Sequence, residues 1–244
     1  MFRASCAILI ISRFFSIRAS QGRRYILSKT WASAPECVKC TACLDDSSLP
    51  PGKAAAKPRP SFIYAILGVM RFVQPEVVIS HFHIREGDKV ADFGAGSGYF
   101  LKSLSVAVGT EGLVYACEIQ KNLVETLDVL AEKENLSNVR TIWCDFEKVG
   151  GSKLDSESID VVLLVNTFFQ IENHAVVVEE IYRVLRSGGK AIVIDWTDSF
   201  GGLGPQPSDV MVQNETERLF NEHGFTTETD FDAGDHHYGV LFRK

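Results

Sequence analysis

The chain has 244 residues, of which 45% are hydrophobic and 23% charged, and a net charge of −6. That balance is globular and excludes a wholly disordered or fibrous chain. No apolar run, the stretch Phe62–Met70 included, approaches the ~20 residues of a membrane-crossing helix, so no integral membrane segment is expected.

Charge divides along the chain. Residues 1–60 carry ten Lys and Arg against three Asp and Glu, whereas residues 61–244 carry fifteen against twenty-eight. A surface that tracks nucleic-acid phosphates needs clustered basic residues, so no nucleic-acid partner is expected of the acidic part. Arg3, Arg13, Arg18, Arg23 and Arg24 alternate with serines, and no acidic residue precedes Glu36. This pattern suits a mitochondrial transit peptide, against the competing reading of a disordered tail or an extension ahead of a start at Met70. Ser47–Pro60 reads as a linker. Cys37, Cys40 and Cys43 have metal-ligand spacing but lack a fourth ligand, so no metal site is expected. Cys117 and Cys144 are the only other cysteines near the folded body, too few for a disulfide scaffold. The expectation is a segment 1–60 ahead of one domain, 61–244, acting in the cytoplasm or, if 1–60 is a targeting segment, in mitochondria.

From residue 61 the pattern becomes regular. Phe62–Val73 predicts an apolar helix and Pro75–Phe82 a short helical turn. Strands are predicted at Lys89–Phe93, Leu113–Glu118, Val139–Trp143, Ile159–Val165 and Lys190–Trp196. Between them, helices are predicted at Tyr99–Val108, Asn122–Glu134 and His174–Leu185, the last closed by a left-handed cap at Ser187-Gly188-Gly189. A helix at Glu215–His223 precedes two strands, Phe225–Phe231 and Tyr238–Arg243, too close for a crossover and so antiparallel. Uninterrupted apolar strands such as IDVVLLV belong in a parallel sheet covered on both faces. Alternation of strand and helix predicts an α/β, Rossmann-like, doubly wound sheet.

The segment Val90–Phe100 carries Asp92, Gly94, Ala95, Gly96 and Gly98 between a strand and a helix. Glycines there allow a sharp turn and close approach of a ligand, at the strand end where open α/β sheets bind. The dinucleotide pattern G-x-G-x-x-G would put its third glycine at 99, which is Tyr. A carboxylate at Asp92 opposes a pyrophosphate and suits an ammonium or sulfonium, both present in S-adenosylmethionine (SAM). Glu118 stands where a ribose would be held, Asp145 where an adenine amino group would be, Ile119 or Phe146 beside the ring, and Asn166 beside the methionine part.

The ordered motifs VADFGAGSG, VYACEIQ, WCDFE, IDVVLLVN and LRSGGKAIVIDW resemble the class I SAM-dependent methyltransferases over residues 75–244. The resemblance implies seven strands in the order 3-2-1-4-5-7-6 with the last antiparallel, helices on both faces and SAM over the first two strands. It implies a loop of Gly94, Gly96 and Gly98, Glu118 on the ribose and Asp145 on the adenine. The general look is nearest the small-molecule branch with quinone-biosynthesis and arsenite enzymes. The arsenite branch uses several cysteines around its acceptor, which Cys117 and Cys144 do not reproduce.

Methyl transfer needs a base only where the acceptor loses a proton. Asp195, Asp198, His236 and His237 are the candidates. Residues 195–205 form a Gly-rich loop long enough to act as a lid. Trp196, Phe168, Phe169 and Phe200 are candidates for an apolar acceptor pocket. No N/D-P-P-Y-type tetrapeptide follows the fourth strand, where Asn166-Thr167-Phe168-Phe169 stands. The expected activity is methyl transfer from SAM to a small molecule. An NAD(P)-dependent oxidoreductase and a non-catalytic SAM-binding protein are the alternatives.

Overall fold

The computed structural model describes residues 72–199 and 204–244. The segment 1–60 with its cysteine cluster, the helix expected at 62–73 apart from Phe72 and Val73, and Phe200 lie outside the described residues. The elements, in chain order, are α1 (Pro75–Val78) with a 3-10 turn (Ile79–Phe82), β1 (Lys89–Phe93), α2 (Leu101–Val108), β2 (Leu113–Glu118), α3 (Lys121–Lys133) and β3 (Val139–Trp143). They continue with β4 (Ile159–Val165), a 3-10 turn (Phe168–Gln170), α4 (His174–Val184), β5 (Leu185–Trp196), α5 (Gln213–Glu222), β6 (Thr226–Asp232) and β7 (His237–Arg243).

The strands form one sheet in the order β3-β2-β1-β4-β5-β7-β6. β7 runs antiparallel to β5 and β6, while the β1–β5 pairings are parallel. The order reverses between β1 and β4, the switch point where such sheets leave a crevice at their carboxyl edge. Strand side chains alternate between faces. Val90, Val114, Val161, Leu163, Ile192, Ile194 and Leu241 pack with Leu101, Leu104, Val108 and Leu127 of α2 and α3. Ala91, Phe93, Val162, Leu164, Val193, Val240 and Phe242 pack with Val177, Val178, Ile181 and Val184 of α4 and with Phe220 of α5. The apolar positions therefore cover both faces with helices. Among the described residues no helix is long and apolar enough to cross a membrane.

One expected cap is different. α4 ends at Val184, and Leu185 is already extended (φ −69, ψ 134) and begins β5. Gly188 does have a left-handed φ of 73, but its N–H binds the carbonyl of Lys244, outside the helix. The end of α4 is satisfied from elsewhere. Glu157 and Ser158 donate N–H groups to the carbonyls of Arg183 and Val184, and Lys244 Nζ lies 2.6 Å from those of Tyr182 and Leu185. With its carbonyls already satisfied, the helix passes directly into the strand.

Glu180 lies on the apolar stripe of α4 and is fully buried. Burial alone raises its pKa, but the Arg183 guanidinium, the Ser152 hydroxyl and the N–H groups of Gly150 and Ser152 outweigh this and hold it at about 2. It accepts from Gly150 N at 2.7 Å, Ser152 Oγ at 2.5 Å and Arg183 Nη2 at 2.7 Å. It thereby fixes the 150–154 loop, whose Gly151 carbonyl holds the backbone N–H of Asp145. Glu180→Gln keeps the shape and loses the charge. We expect it to lower stability by about 2 kcal/mol, the worth of charge-assisted bonds, in urea unfolding at neutral pH. The difference is present above the unfolded carboxylate's pKa of 4.5 and vanishes as pH falls towards 2.

Candidate active site

The turn after β1 places three glycines in the left-handed region, Gly94 (φ 84), Gly96 (φ 56) and Gly98 (φ 81). The N–H groups of Gly94 and Ala95 both bind the carbonyl of Cys117, which pins the turn to β2. The three positions differ in what surrounds them. A Cβ on Gly94 would stand 2.6 Å from Thr167 Oγ1, and one on Gly98 would stand 2.6 Å from Leu130 Cδ2 and 2.9 Å from Leu127 Cδ2. A Cβ on Gly96 would meet only the Gly94 carbonyl, at 3.8 Å. Gly94 and Gly98 thus serve packing against the β4 end and against α3. Gly96 leaves open space.

Two carboxyl groups lie beneath this loop. Asp92 is 3% exposed, and none of the described residues donates a hydrogen bond to its side chain. Burial, reinforced by the charge of Glu118, pushes its pKa up to about 7. Glu118, at the end of β2, is buried and accepts from Gly96 N at 3.0 Å through Oε2, and from Ile119 N and Gln120 N at 2.9 Å through Oε1. Its carboxylate is therefore the brace between strand end and loop. One lone pair on Oε2 stays open.

Asp145 follows β3, half-buried, with its carboxylate 2.7 Å from Lys148 Nζ and accepting from Glu147 N at 3.2 Å. The Phe146 ring lies in the core, stacked on Phe93 at 4.8 Å. One face of that ring is covered by Phe93, whereas Ile119 is 52% exposed. Trp143 is also exposed beside it, with Nε1 donating to the Ile119 carbonyl and the Lys121 ammonium 4.2 Å from the ring centre. Asn166 follows β4 in a left-handed conformation (φ 52), and its buried Oδ1 has no partner among the described residues.

The base candidates separate. Asp195 is 1% exposed and accepts from Trp196 N (2.8 Å) and Phe169 N (3.0 Å), tying the 168–170 turn to β5. Burial raises its pKa to about 7 against the opposing effect of these N–H groups. Strand parity puts it on the α4–α5 face, opposite Asp92. Asp198 pairs with His236 Nδ1 at 2.7 Å on the surface. His237 turns inward on the Asp92 face and contacts Trp196, with ring centres 4.3 Å apart. Phe168 is fully buried in the core, 4.7 Å from His174.

Sequence reasoning missed Glu180 and Thr167. Glu180 had a readable signal, an acidic residue within the stripe Val177, Ile181, Val184 with Arg183 three residues on. Thr167 had none, because only the fold brings it to Gly94.

Residues 91–193 match the family of methyltransferase domains. The chain is 23% identical over 120 residues to a demethylmenaquinone methyltransferase from Geobacillus, covering 49% of this chain and 50% of that protein. It is 34% identical over 112 residues to the human arsenite methyltransferase, covering 43% and 30%. The chain thus spans about half the length, or less, of these curated relatives. A SAM-dependent methyltransferase from Aquifex aeolicus superimposes with a TM-score of 0.65 at 27% identity, over 77% of this chain and 99% of that one. By this domain, its sheet order and its glycine loop, the chain is similar to the SAM-dependent methyltransferases.

Proposed function

We propose that the chain transfers the methyl group of SAM to a small-molecule acceptor, with residues 61–244 as the catalytic domain and 1–60 as a preceding segment. The observation that carries this reading is Asp92, a buried carboxyl without a described partner under a loop that is open at Gly96. The residues fit the group. A cationic ligand supplies the charge that Asp92 lacks, whereas a pyrophosphate would add a third negative group beside Asp92 and Glu118.

In this reading Gly94, Ala95, Gly96 and Gly98 form the backbone cradle. Asp92 faces the ammonium or sulfonium, and Asn166 Oδ1 the methionine part. Glu118 accepts the ribose hydroxyls by exchanging its bond to Gly96 N. Asp145 accepts from the adenine amino group, and Ile119 covers the ring beside the Phe146 backbone. SAM supplies an activated methyl carbon, so the protein's task is alignment and exclusion of water. The named acceptors of the matched relatives, a demethylmenaquinone and arsenite, are small molecules. Thiophilic capture of arsenite by Cys117 and Cys144 is disfavoured, because both are buried in the core. The acidic body disfavours nucleic acid, and the proposed place of action is the cytoplasm, or mitochondria if 1–60 is a targeting segment. The test is transfer of isotopic methyl label from SAM into the low-mass fraction of a cell extract. Label in small organic molecules supports the reading. Label only in protein or nucleic acid, or none, contradicts it.

A further inference from the structure

Among the described residues three buried side-chain polar atoms have no hydrogen-bond partner, Asn166 Oδ1, Trp196 Nε1 and His237 Nε2. They lie at the ends of β4 and β5 and the start of β7, consecutive strands at the carboxyl edge of the parallel part of the sheet. The row starts at the glycine loop, because Thr167 next to Asn166 lies against Gly94. Val165 pairs with Ile194 and Trp196 with His237, which carries the row across to β7. Trp196 and His237 are 5% and 6% exposed. An unpaired buried polar group is costly, so native proteins rarely keep two in contacting side chains unless something satisfies them.

The chemistry of the pair is fixed by its surroundings. His237 Nδ1 lies 2.8 Å from the Asp235 carbonyl, which only accepts, so Nδ1 carries the hydrogen. Nε2 of the neutral ring is then a bare lone pair. Burial, with the nearby His236, moves the ring's pKa below its ordinary value against the opposing pull of the Asp235 carbonyl and Asp198. Trp196 Nε1 is a donor only. Gly204 lies close against the indole, since a Cβ there would stand 2.8 Å from the ring, and His237 also contacts it. A rigid donor and a rigid acceptor in contacting side chains match a group that both donates and accepts. A hydroxyl does so; an ether or a carbonyl only accepts.

We propose that Trp196 and His237 form the docking site for a hydroxyl on the methyl acceptor, with His237 Nε2 accepting its hydrogen and Trp196 Nε1 donating to its oxygen. That the occupant is the methyl acceptor rests on the methyl-transfer reading; the hydroxyl preference does not. An acceptor hydroxyl held against a lone pair is also more electron-rich, and His237 is placed to take its proton if the acceptor must lose one.

The test uses the full chain, with and without S-adenosylhomocysteine, and titrates 4-nitrophenol and 4-nitroanisole, which differ by the donated hydrogen. The phenol is expected to bind at least about tenfold more tightly than the anisole, the worth of one buried hydrogen bond. His237→Phe should weaken phenol binding about tenfold and leave anisole binding unchanged, Trp196→Phe should weaken phenol binding about tenfold, and His237→Gln, whose amide oxygen accepts, restores much of the loss caused by His237→Phe. Melting temperature and S-adenosylhomocysteine affinity at wild-type values establish that the variants fold. Equal binding of phenol and anisole, no binding of either, or indifference of the phenol to both substitutions overturns the proposal. Failure of the wild-type chain to bind S-adenosylhomocysteine overturns the methyl-transfer reading instead and leaves the phenol contrast to be read by itself.

Discussion

Asp92→Asn is expected to stabilise the free protein at about pH 8 while weakening SAM binding by about 100-fold. The two effects have one cause. The folded protein holds this carboxyl at about 7, against 3.8 in the unfolded chain. Between those values the native state binds more protons than the unfolded one, so stability falls as pH rises through the window and stays low above it. The full linkage is roughly 4 kcal/mol, and an unpartnered amide returns part of it, so a gain of about 2 kcal/mol and about 4–8 °C in Tm is the expected size. Below about pH 4, where Asp92 is protonated in both states, the wild type has regained the full linkage and the order reverses, with the variant less stable by about 2 kcal/mol. Binding responds in the opposite sense. A cationic ligand prefers the ionised carboxylate, so wild-type affinity drops below about pH 7 and the variant's stays low and flat. Asp195, also held near 7, keeps part of the stability slope in the variant. Thermal melts and calorimetry across pH check both signs. A destabilised variant with unchanged affinity would show that Asp92 is a structural acid and no ligand contact.

Gly98→Val and Gly96→Ala are expected to divide stability from binding. At Gly98 the left-handed φ of 81 opposes a β-branched residue, and the new side chain would collide with Leu127 and Leu130. Strain and overpacking together should cost about 3 kcal/mol or more, enough to lower yield and Tm clearly. At Gly96 the φ of 56 lies in the left-handed minimum that an L-residue can enter, with no atom closer than 3.8 Å. Gly96→Ala should therefore cost about 1 kcal/mol of stability. Its methyl group fills the space where the ligand backbone would pass, and SAM affinity should fall by about tenfold or more. Equal binding by Gly96→Ala and wild type would place the ligand away from the loop.

Much of this fold was legible in the residues. The apolar runs Lys89–Phe93, Leu113–Glu118, Val139–Trp143 and Ile159–Val165 coincide with strands. They can read so plainly because both faces are covered and no polar alternation is needed. The sheet order came through the resemblance carried by the ordered motifs, and the observed order agrees. The end of α4 was misread because Gly188 carries the usual cap signal, while the actual partners, Lys244 and residues 157–158, are remote in sequence. Around the site, the strand-end positions of Asp92, Glu118, Asp145 and Asn166 followed from spacing. Their commitments did not. Nothing local says that Phe146 stacks on Phe93, that Glu118 braces Gly96, or that His236 and His237 turn apart, one to Asp198 and the other to Trp196.

The central claim is that the loop between β1 and α2 binds an adenosyl sulfonium. Calorimetric titration of the full chain at about pH 8 with SAM, S-adenosylhomocysteine and NADH, beside Glu118→Ala, tests it most directly. The account predicts one site of about micromolar affinity for the adenosyl ligands, at least about tenfold weaker in Glu118→Ala, and no heat from NADH. NADH binding in place of SAM, or a folded chain that binds neither, would contradict it.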